Sequence, residues 1–461
     1  MPALNPSRDH IHLIGIGGAG LSAIARVLHE RGFHVSGSDR QLSPLAGGLR
    51  AAGVEVAIGH AASHVRGATL VVRSSAIPDD HVEVQAACAR GIPVLKRDAF
   101  LGELMAGSTG IAVAGTHGKT TTTSMLAWML TALGQDPTFI AGGVIANLDA
   151  NARAGHGPYF VIEADEYDHM FLGLRPTHAV VTHVEHDHPD CFPTPEDFAA
   201  AFQRFVALLP PAGTLLACAD EPGAAALLHA EGLQARPLSY GLAATADYQA
   251  RALVPVPGAG HVFEACRGAE RLAHVALQVP GEHNVRNALA AFAVGDVLGL
   301  PAEPCAAALS AFRGVGRRFE VRGEPGGVIV IDDYAHHPTE IRATLAAARQ
   351  RYPGRPLWVV WQPHTYSRAR ALLNEFAGAF AGAGHLVITD IYAARETAPP
   401  DFSIETVLAA FEKQVRIPVA HISGLPEAAE FLLARLRPGA VLLTLSAGDA
   451  PEISEIVLKT L

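Results

Sequence analysis

The chain reads as an α/β protein of roughly three domains built on parallel sheets, and three observations carry that reading. Its 461 residues are too many for one ordinary hydrophobic core. Short apolar runs alternate with Ala-rich helical stretches, the pattern of successive βαβ units. Three glycine-punctuated strand-to-helix starts divide the chain: HLIGIGGAG, IAVAGTHGKT and the stretch after GVGRRFEV.

The first unit opens on HLIGIGGAGLSAIARVLHERG, a strand running into a helix, followed by FHVSGSD as a second strand. VEVAIGH, TLVVRSSAIP and GIPVLKR continue the alternation. Gly15, Gly17, Gly18 and Gly20, with Asp39 further on, fit the dinucleotide fingerprint, in which a pyrophosphate rests on a helix N-terminus. Alone, that pattern supports an NAD(P)-binding oxidoreductase. A UDP-sugar diphosphate satisfies it equally well.

A break near MAGSTG (105–110) opens the second unit. There AGTHGKTTTTSM (114–125) looks like a phosphate loop of reduced length. Gly118, Lys119 and Thr120 match the end of G-x-x-x-x-G-K-[ST], but Val113 occupies the first glycine's place and the nearest glycine is Gly115. The order strand, loop, apolar-periodic helix is still correct for a phosphate cradle. Lys119 would neutralise the β/γ charge and Thr120 could hold Mg2+.

Such a site needs a carboxylate on a neighbouring strand end, and Glu163 directly continues Phe160-Val161-Ile162. Asp165, Glu166 and Asp168 read equally as metal-side groups or as a solvated acidic turn. In HVEHDHPD, His186, Asp187 and His188 could suggest zinc, but no further ligand set stands at a diagnostic spacing. A single imidazole, His188, joining Glu163 is the sharper reading. GEHNVRNALAA (281–291) sets His283, Asn284 and Asn287 at a helix start, where amides can reach a base or, for Asn284, cap the helix.

In the third unit VIVIDDYAHHP, PLWVVWQPH, HLVITDIY and AVLLTLSAGD are the strand candidates. Asp332, Asp333, His336, His337, His364, Arg368 and Arg370 fall at their ends, where open α/β sheets bind ligands. Arg368 and Arg370, two residues apart, need not share a target.

A formal net charge of -10 disfavours nucleic acid as a partner but allows a small anionic ligand in a locally positive site. No apolar run is long enough to span a membrane, and the start of the chain carries no secretion pattern. Five scattered cysteines without C-x-x-C spacing read as reduced thiols. The expectation is a cytoplasmic protein.

Taken in order, GIGGAGLSAIA, SSAIP, GTHGKTTTT, EADEYD, EHDHPD, GEHNVRNALAA, GVGRRFEV, DDYAHHPTE, QPHTYSRAR and TDIYAARE resemble the Mur ligases across essentially the whole chain. These are ATP-dependent amide-forming enzymes of bacterial peptidoglycan synthesis, and hence of cell shape and division. DDYAHHPTE and the QPH segment resemble the alanine-adding branch. The resemblance implies an N-terminal Rossmann-like domain (1–107), a central P-loop ATPase-type α/β domain (108–316) and a C-terminal Rossmann-like domain (317–461). It implies UDP-N-acetylmuramate, L-alanine and ATP as substrates, Mg2+ or alternatively Mn2+ as the ion, and a monomer or homodimer.

Residue by residue, the resemblance places ATP on Gly115, Thr116, His117, Gly118, Lys119, Thr120 and Thr121, with Asn287 at the adenine and Arg318 and Asp333 holding the nucleotide. Thr120, Glu163 and His188 would take the metal. Gly15, Gly17, Gly18, Gly20, Asp39, Ser74 and Ser75 would face the UDP-sugar, while His337 and Arg368 join Lys119, Glu163 and His188 as the reaction-side group. The chain departs from the family pattern at His183, Thr365 and SAGD (446–449). It has no lysine between Lys119 and Lys413, as in the branch that lacks a carbamylated lysine. A ligase attaching a whole tripeptide to the same sugar nucleotide is the nearest alternative.

Overall fold

The computed structural model describes residues 4–461, which form two compact units. The first holds the chain up to Val184 together with Ala199–Tyr240 and Ala293–Leu298. The second holds Glu185–Phe198, Gly241–Phe292 and Gly299–Leu461.

Within the first unit, five parallel strands form one sheet: β1 (His10–Ile14), β2 (His34–Asp39), β3 (Glu55–Ile58), β4 (Leu70–Arg73) and β5 (Val94–Lys96). Their order, β3-β2-β1-β4-β5, reverses direction at β1, so the turn after β1 opens at a topological switch point. Helix Ala19–Glu30 follows that turn and buries Leu21, Ile24, Val27 and Leu28. That spacing puts the apolar side chains on one face of the helix.

A second sheet of the same unit contains β6 (Thr109–Ala114), β7 (Thr138–Ile145), β8 (Ala150–Arg153), β9 (Tyr159–Glu163), β10 (His178–Val181), β11 (Thr214–Cys218) and β12 (Arg236–Gly241). Here β6 lies between β9 and β10, parallel to both. Ile111, Ala112, Val113 and Ala114 are fully buried, which explains a continuous apolar run rather than an alternating one.

In the second unit β13 (Tyr248–Pro255), β14 (His261–Arg267) and β15 (Glu270–Ala276) form an antiparallel meander that the βαβ reading does not anticipate. More and less buried residues alternate over 261–265 in β14 and 273–276 in β15, as in a sheet with one wet face. The last sheet runs β16-β17-β21-β18-β19-β20, from β16 (Glu320–Gly323), β17 (Ile329–Asp333), β18 (Leu357–Trp361), β19 (His385–Ile388), β20 (Val419–His421) and β21 (Val441–Leu445). All its pairings are parallel except β16 with β17. Two clusters of buried side chains, one around Trp361 and Phe380 and one around Leu432 and Ile453, pack with this sheet.

Candidate active site

The short loop sits directly after β6. Gly115 has φ 135°, and a Cβ there would stand 2.2 Å from Thr182 Oγ1, so only glycine lets the loop pass beside β10. Gly118, at φ 79°, turns the chain into helix Lys119–Ala132. Thr116 N donates to His183 O at 2.8 Å, and Thr182 Oγ1 donates to Ala114 O at 3.3 Å, tying both ends of the loop to the chain after β10. His183, one of the departures, packs its ring 5.1 Å from that of His117 and lies 3.1 Å from Glu221. Thr121 is the third residue of the helix.

Lys119 folds back over this loop. Its Nζ donates to Gly115 O at 2.6 Å and to Glu166 Oε1 at 2.9 Å. Burial works against the ammonium, but Glu166, Asp165 and Glu163 outweigh it and raise its pKa, so Lys119 stays charged. Glu166 is 1% exposed, so it is not part of a solvated turn. It is the counter-ion of the loop lysine. Burial pushes its carboxyl up to about 7 against the pull of Lys119. Asp165 is a turn residue that accepts from Tyr167 N at 3.1 Å.

Glu163 closes β9, and register pairing sets it beside Val113 of β6. Its Oε1 accepts from Thr120 Oγ1 at 2.9 Å and its Oε2 accepts from Gly142 N at 2.6 Å. Two oxygen-bearing side chains expected to bind metal are therefore in direct contact. Such hard oxygen donors suit Mg2+. His188, the third expected ligand, belongs to the second unit, where it adopts φ 55° and lies 3.7 Å from Asp187. In the same turn His186 is engaged with Phe192 O at 2.8 Å and Asp187 with Arg368.

At the first glycine loop, Gly15 N and Ile16 N both donate to Ser38 O, Gly17 N donates to Asp39 Oδ2 at 2.8 Å, and Gly18 N donates to Gly15 O. Asp39 thus shapes the loop: Gly15 and Gly17 spend their amides on the end of β2, and Gly18 spends its own inside the loop. Ser74 lies against Gly15, and Ser75 is exposed with its Oγ 3.8 Å from Met170 Sδ.

In the second unit, Asn287 is buried and its Nδ2 donates to Asn284 Oδ1 at 3.1 Å. Asn284 lies inside helix Glu282–Val297 and donates to Pro280 O at 2.7 Å, so it holds the preceding turn instead of accepting as a helix cap. Asp333 accepts from Phe319 N and Ala335 N, both at 2.7 Å, and burial raises its carboxyl to about 6 although Arg318 pulls it down. Arg317 and Arg318 each place a guanidinium 4.9 Å from the Tyr334 ring. His337 caps helix Pro338–Arg351, its Nδ1 accepting from Thr339 N, while Glu340 receives the backbone N–H of His337. That bond places the imidazole proton on Nε2.

Arg368 is 4% exposed and donates to Asp187 and lies 3.0 Å from His364, whereas Arg370 pairs with Asp401. The stretch is helical (Tyr366–Ala371), so residues two apart point in different directions and do part company. Thr365 caps that helix. The SAGD turn is held by Gln362, which accepts from Ser446 Oγ at 2.7 Å and donates to Asp449 Oδ1 at 2.6 Å. Sequence reasoning missed Glu166, Asp187 and Gln362 as partners. Only Glu166 carried a readable hint, its place three residues after Glu163 in an acidic run.

Comparison with known proteins finds three matches in chain order. Residues 10–109 match the Mur ligase family, catalytic domain; 113–295 the Mur ligase middle domain; and 317–448 the Mur ligase, glutamate ligase domain. The chain is 45% identical to a UDP-N-acetylmuramate--L-alanine ligase of Roseiflexus sp., over 98% of this chain and 99% of that one. It is 47% identical to the enzyme of that name from Kineococcus radiotolerans, over 98% and 96%. Among solved structures it resembles the UDP-N-acetylmuramate-alanine ligase of Thermotoga maritima, with TM-score 0.82, 28% identity and 98% of each chain covered. A murein peptide ligase of Psychrobacter arcticus gives TM-score 0.72 at 27% identity, again with 98% of each covered.

Proposed function

We propose, from the premise that this chain belongs to the Mur ligase family, that it joins L-alanine to the lactyl carboxylate of UDP-N-acetylmuramate at the expense of ATP. The observation that carries this is the gathering of Lys119, Thr120 and Glu163 at the ends of two adjacent strands, on a loop shaped for phosphate. An NAD(P) oxidoreductase leaves that loop without a purpose. Relatives at 45% and 47% identity bear the name of the alanine ligase, which favours alanine over a tripeptide as the incoming amine. The domain limits we assign are 1–107, 108–316 and 317–461, and we place the enzyme in the bacterial cytoplasm.

A carboxylate at neutral pH is a poor acyl donor. In the first step its oxygen attacks the γ-phosphorus of ATP, ADP leaves, and an acyl phosphate forms. The L-alanine amine then attacks the acyl carbon, the amide bond forms and inorganic phosphate departs. The protein's part is positioning and charge neutralisation. Lys119 exchanges its hold on Gly115 O and Glu166 for the β/γ-phosphates, and the N–H groups of Gly118 to Thr121 receive their oxygens. Thr120 and Glu163, with His188, would hold Mg2+, which supplies charge neutralisation on the transferring phosphoryl group. Asn287, Arg318 and Asp333 are assigned to the nucleotide, and His337 and Arg368 to the substrate side.

The test is phosphate release with ATP, Mg2+ and UDP-N-acetylmuramate across a panel of amino acids and the tripeptide. Turnover with L-alanine above all others is expected. Turnover with the tripeptide alone would transfer the assignment to the recycling reaction, and none with any amine would refute it.

A further inference from the structure

We infer that Arg97 receives the carboxylate of the sugar nucleotide and thereby selects a muramyl over a glucosaminyl head group, an inference that rests on the substrate proposed above. A cavity of about 170 Å³ inside the first unit is bounded by Gly20, Arg97, Glu163, Asp165, Met170 and Phe171, with further apolar side chains completing its walls. Arg97 is the one cation among the residues that line it.

Arg97 begins helix Arg97–Leu104, and its guanidinium lies across Gly20. A Cβ at position 20 would stand 1.8 Å from Arg97 Nη1, so with any residue but glycine there the guanidinium would have to move from its place. Arg97 Nη2 is 3.5 Å from Asp165 Oδ2 and also touches the sulfur of Met170, which Ser75 approaches from the other loop. Of two residues assigned to the sugar nucleotide, Gly20 therefore lies against Arg97 itself, and Ser75 approaches Met170, which Arg97 also touches. Glu163, on the same cavity, hydrogen-bonds Thr120 of the phosphate loop. The cavity thus joins the sugar-nucleotide side to the phosphoryl side, the path a lactyl carboxylate must follow to be phosphorylated.

Charge decides which part of the substrate belongs here. Glu163 and Asp165 both repel an entering anion, and Arg97 is the group that offsets them. A diphosphate needs several donors, whereas the mostly apolar walls suit the carbon skeleton of a lactyl ether ending in a single carboxylate. The Asp165 contact is long and its carboxylate is 46% exposed, which makes it a weak partner. A substrate carboxylate can replace it with a bidentate, charge-assisted pair.

The experiment is calorimetric binding of UDP-N-acetylmuramate and UDP-N-acetylglucosamine to the full-length wild type, Arg97→Ala and Arg97→Lys. The two ligands share uridine, diphosphate and ring but differ in the lactyl carboxylate. Arg97→Ala is expected to weaken the muramate by about tenfold or more and leave the glucosamine unchanged. Arg97→Lys should recover part of the loss. If Arg97→Ala does not fold, Arg97→Gln, which keeps a polar side chain without the charge, takes its place in the same comparison. Equal losses on both ligands would assign Arg97 to the diphosphate or to the scaffold, and no loss on either would remove it from the site; each overturns the inference while leaving the ligase assignment standing. A wild type that binds neither ligand overturns the proposed function and this inference together.

Discussion

Arg368 Nε lies 3.0 Å from Asp187 Oδ1, and both side chains are buried, at 5% and 4% exposure. The pair joins the EHDHPD turn to the helix after QPHTYSRAR, two segments 181 residues apart in sequence. Burial works to raise the Asp187 carboxyl, yet Arg368, with His188 and His336, holds it well below the usual carboxylate range.

Removing one partner strands the other's charge in a dry site. Asp187→Asn is therefore expected to destabilise the protein by about 3–5 kcal/mol in chemical denaturation. Asp187→Leu with Arg368→Met should cost much less than the sum of the single changes. Additive losses would mean that the two residues do not act as a pair.

Lys119→Ala should lower kcat by about 10²- to 10³-fold, the usual loss when a charge-stabilising donor is removed. Glu166→Gln tests the counter-ion separately. Its carboxyl is raised to about 7, so the native state binds the proton more tightly than the unfolded chain. That contribution to stability is complete below the ordinary carboxylate range and is lost as pH rises to about 7. Denaturation curves at pH 5 and pH 7.5 should show a smaller pH-dependent loss in Glu166→Gln than in the wild type.

Glu163→Gln can keep both hydrogen bonds, its oxygen facing Gly142 N and its amide facing Thr120 Oγ1. The fold should survive with an unchanged melting temperature. The Mg2+ concentration for half-maximal phosphate release should rise by about tenfold or more, because a neutral amide is a poor substitute for a carboxylate on a hard cation. An unaltered Mg2+ requirement would remove Glu163 from the metal.

His283 lies against Gly281, where a Cβ would come within 2.4 Å of the imidazole. Burial, assisted by Arg286, lowers the His283 pKa to about 4; burial likewise lowers His336 to about 3 and His364 to about 4. The unfolded chain therefore takes up these protons first. Stability from the neutral rings is complete above the ordinary histidine range and is lost as pH falls towards about 4, at up to ~1.4 kcal/mol per pH unit for each group. His283→Gln should reduce the stability loss between pH 7.5 and pH 5 by about 1–2 kcal/mol, measured by urea denaturation.

Much of the fold was legible because buried parallel strands leave continuous apolar runs between glycine turns. IAVAG, YFVIE, VIVIDD and AVLLTL are strands at the expected places. The β13–β15 meander escaped, since its strands mix buried and exposed residues and its glycines stand in hairpin turns rather than ahead of a helix. At the candidate site Thr120 and Glu163 were found as partners because a strand end and a loop glycine mark them. Asp187 was not, because nothing local distinguishes an aspartate in a histidine-rich turn from a solvated one.

AGTHGKTTTT by itself determined the shape of its loop: a left-handed glycine and a helix start beside a lysine are local properties, and local sterics settle them. Tertiary structure alone decided the partners: Glu166 rather than water for Lys119, Asp187 for Arg368, and Arg97 across Gly20. The physical reason is burial. A charge becomes costly only when the chain has closed over it, and which counter-charge arrives depends on strand order and on residues far away in the sequence.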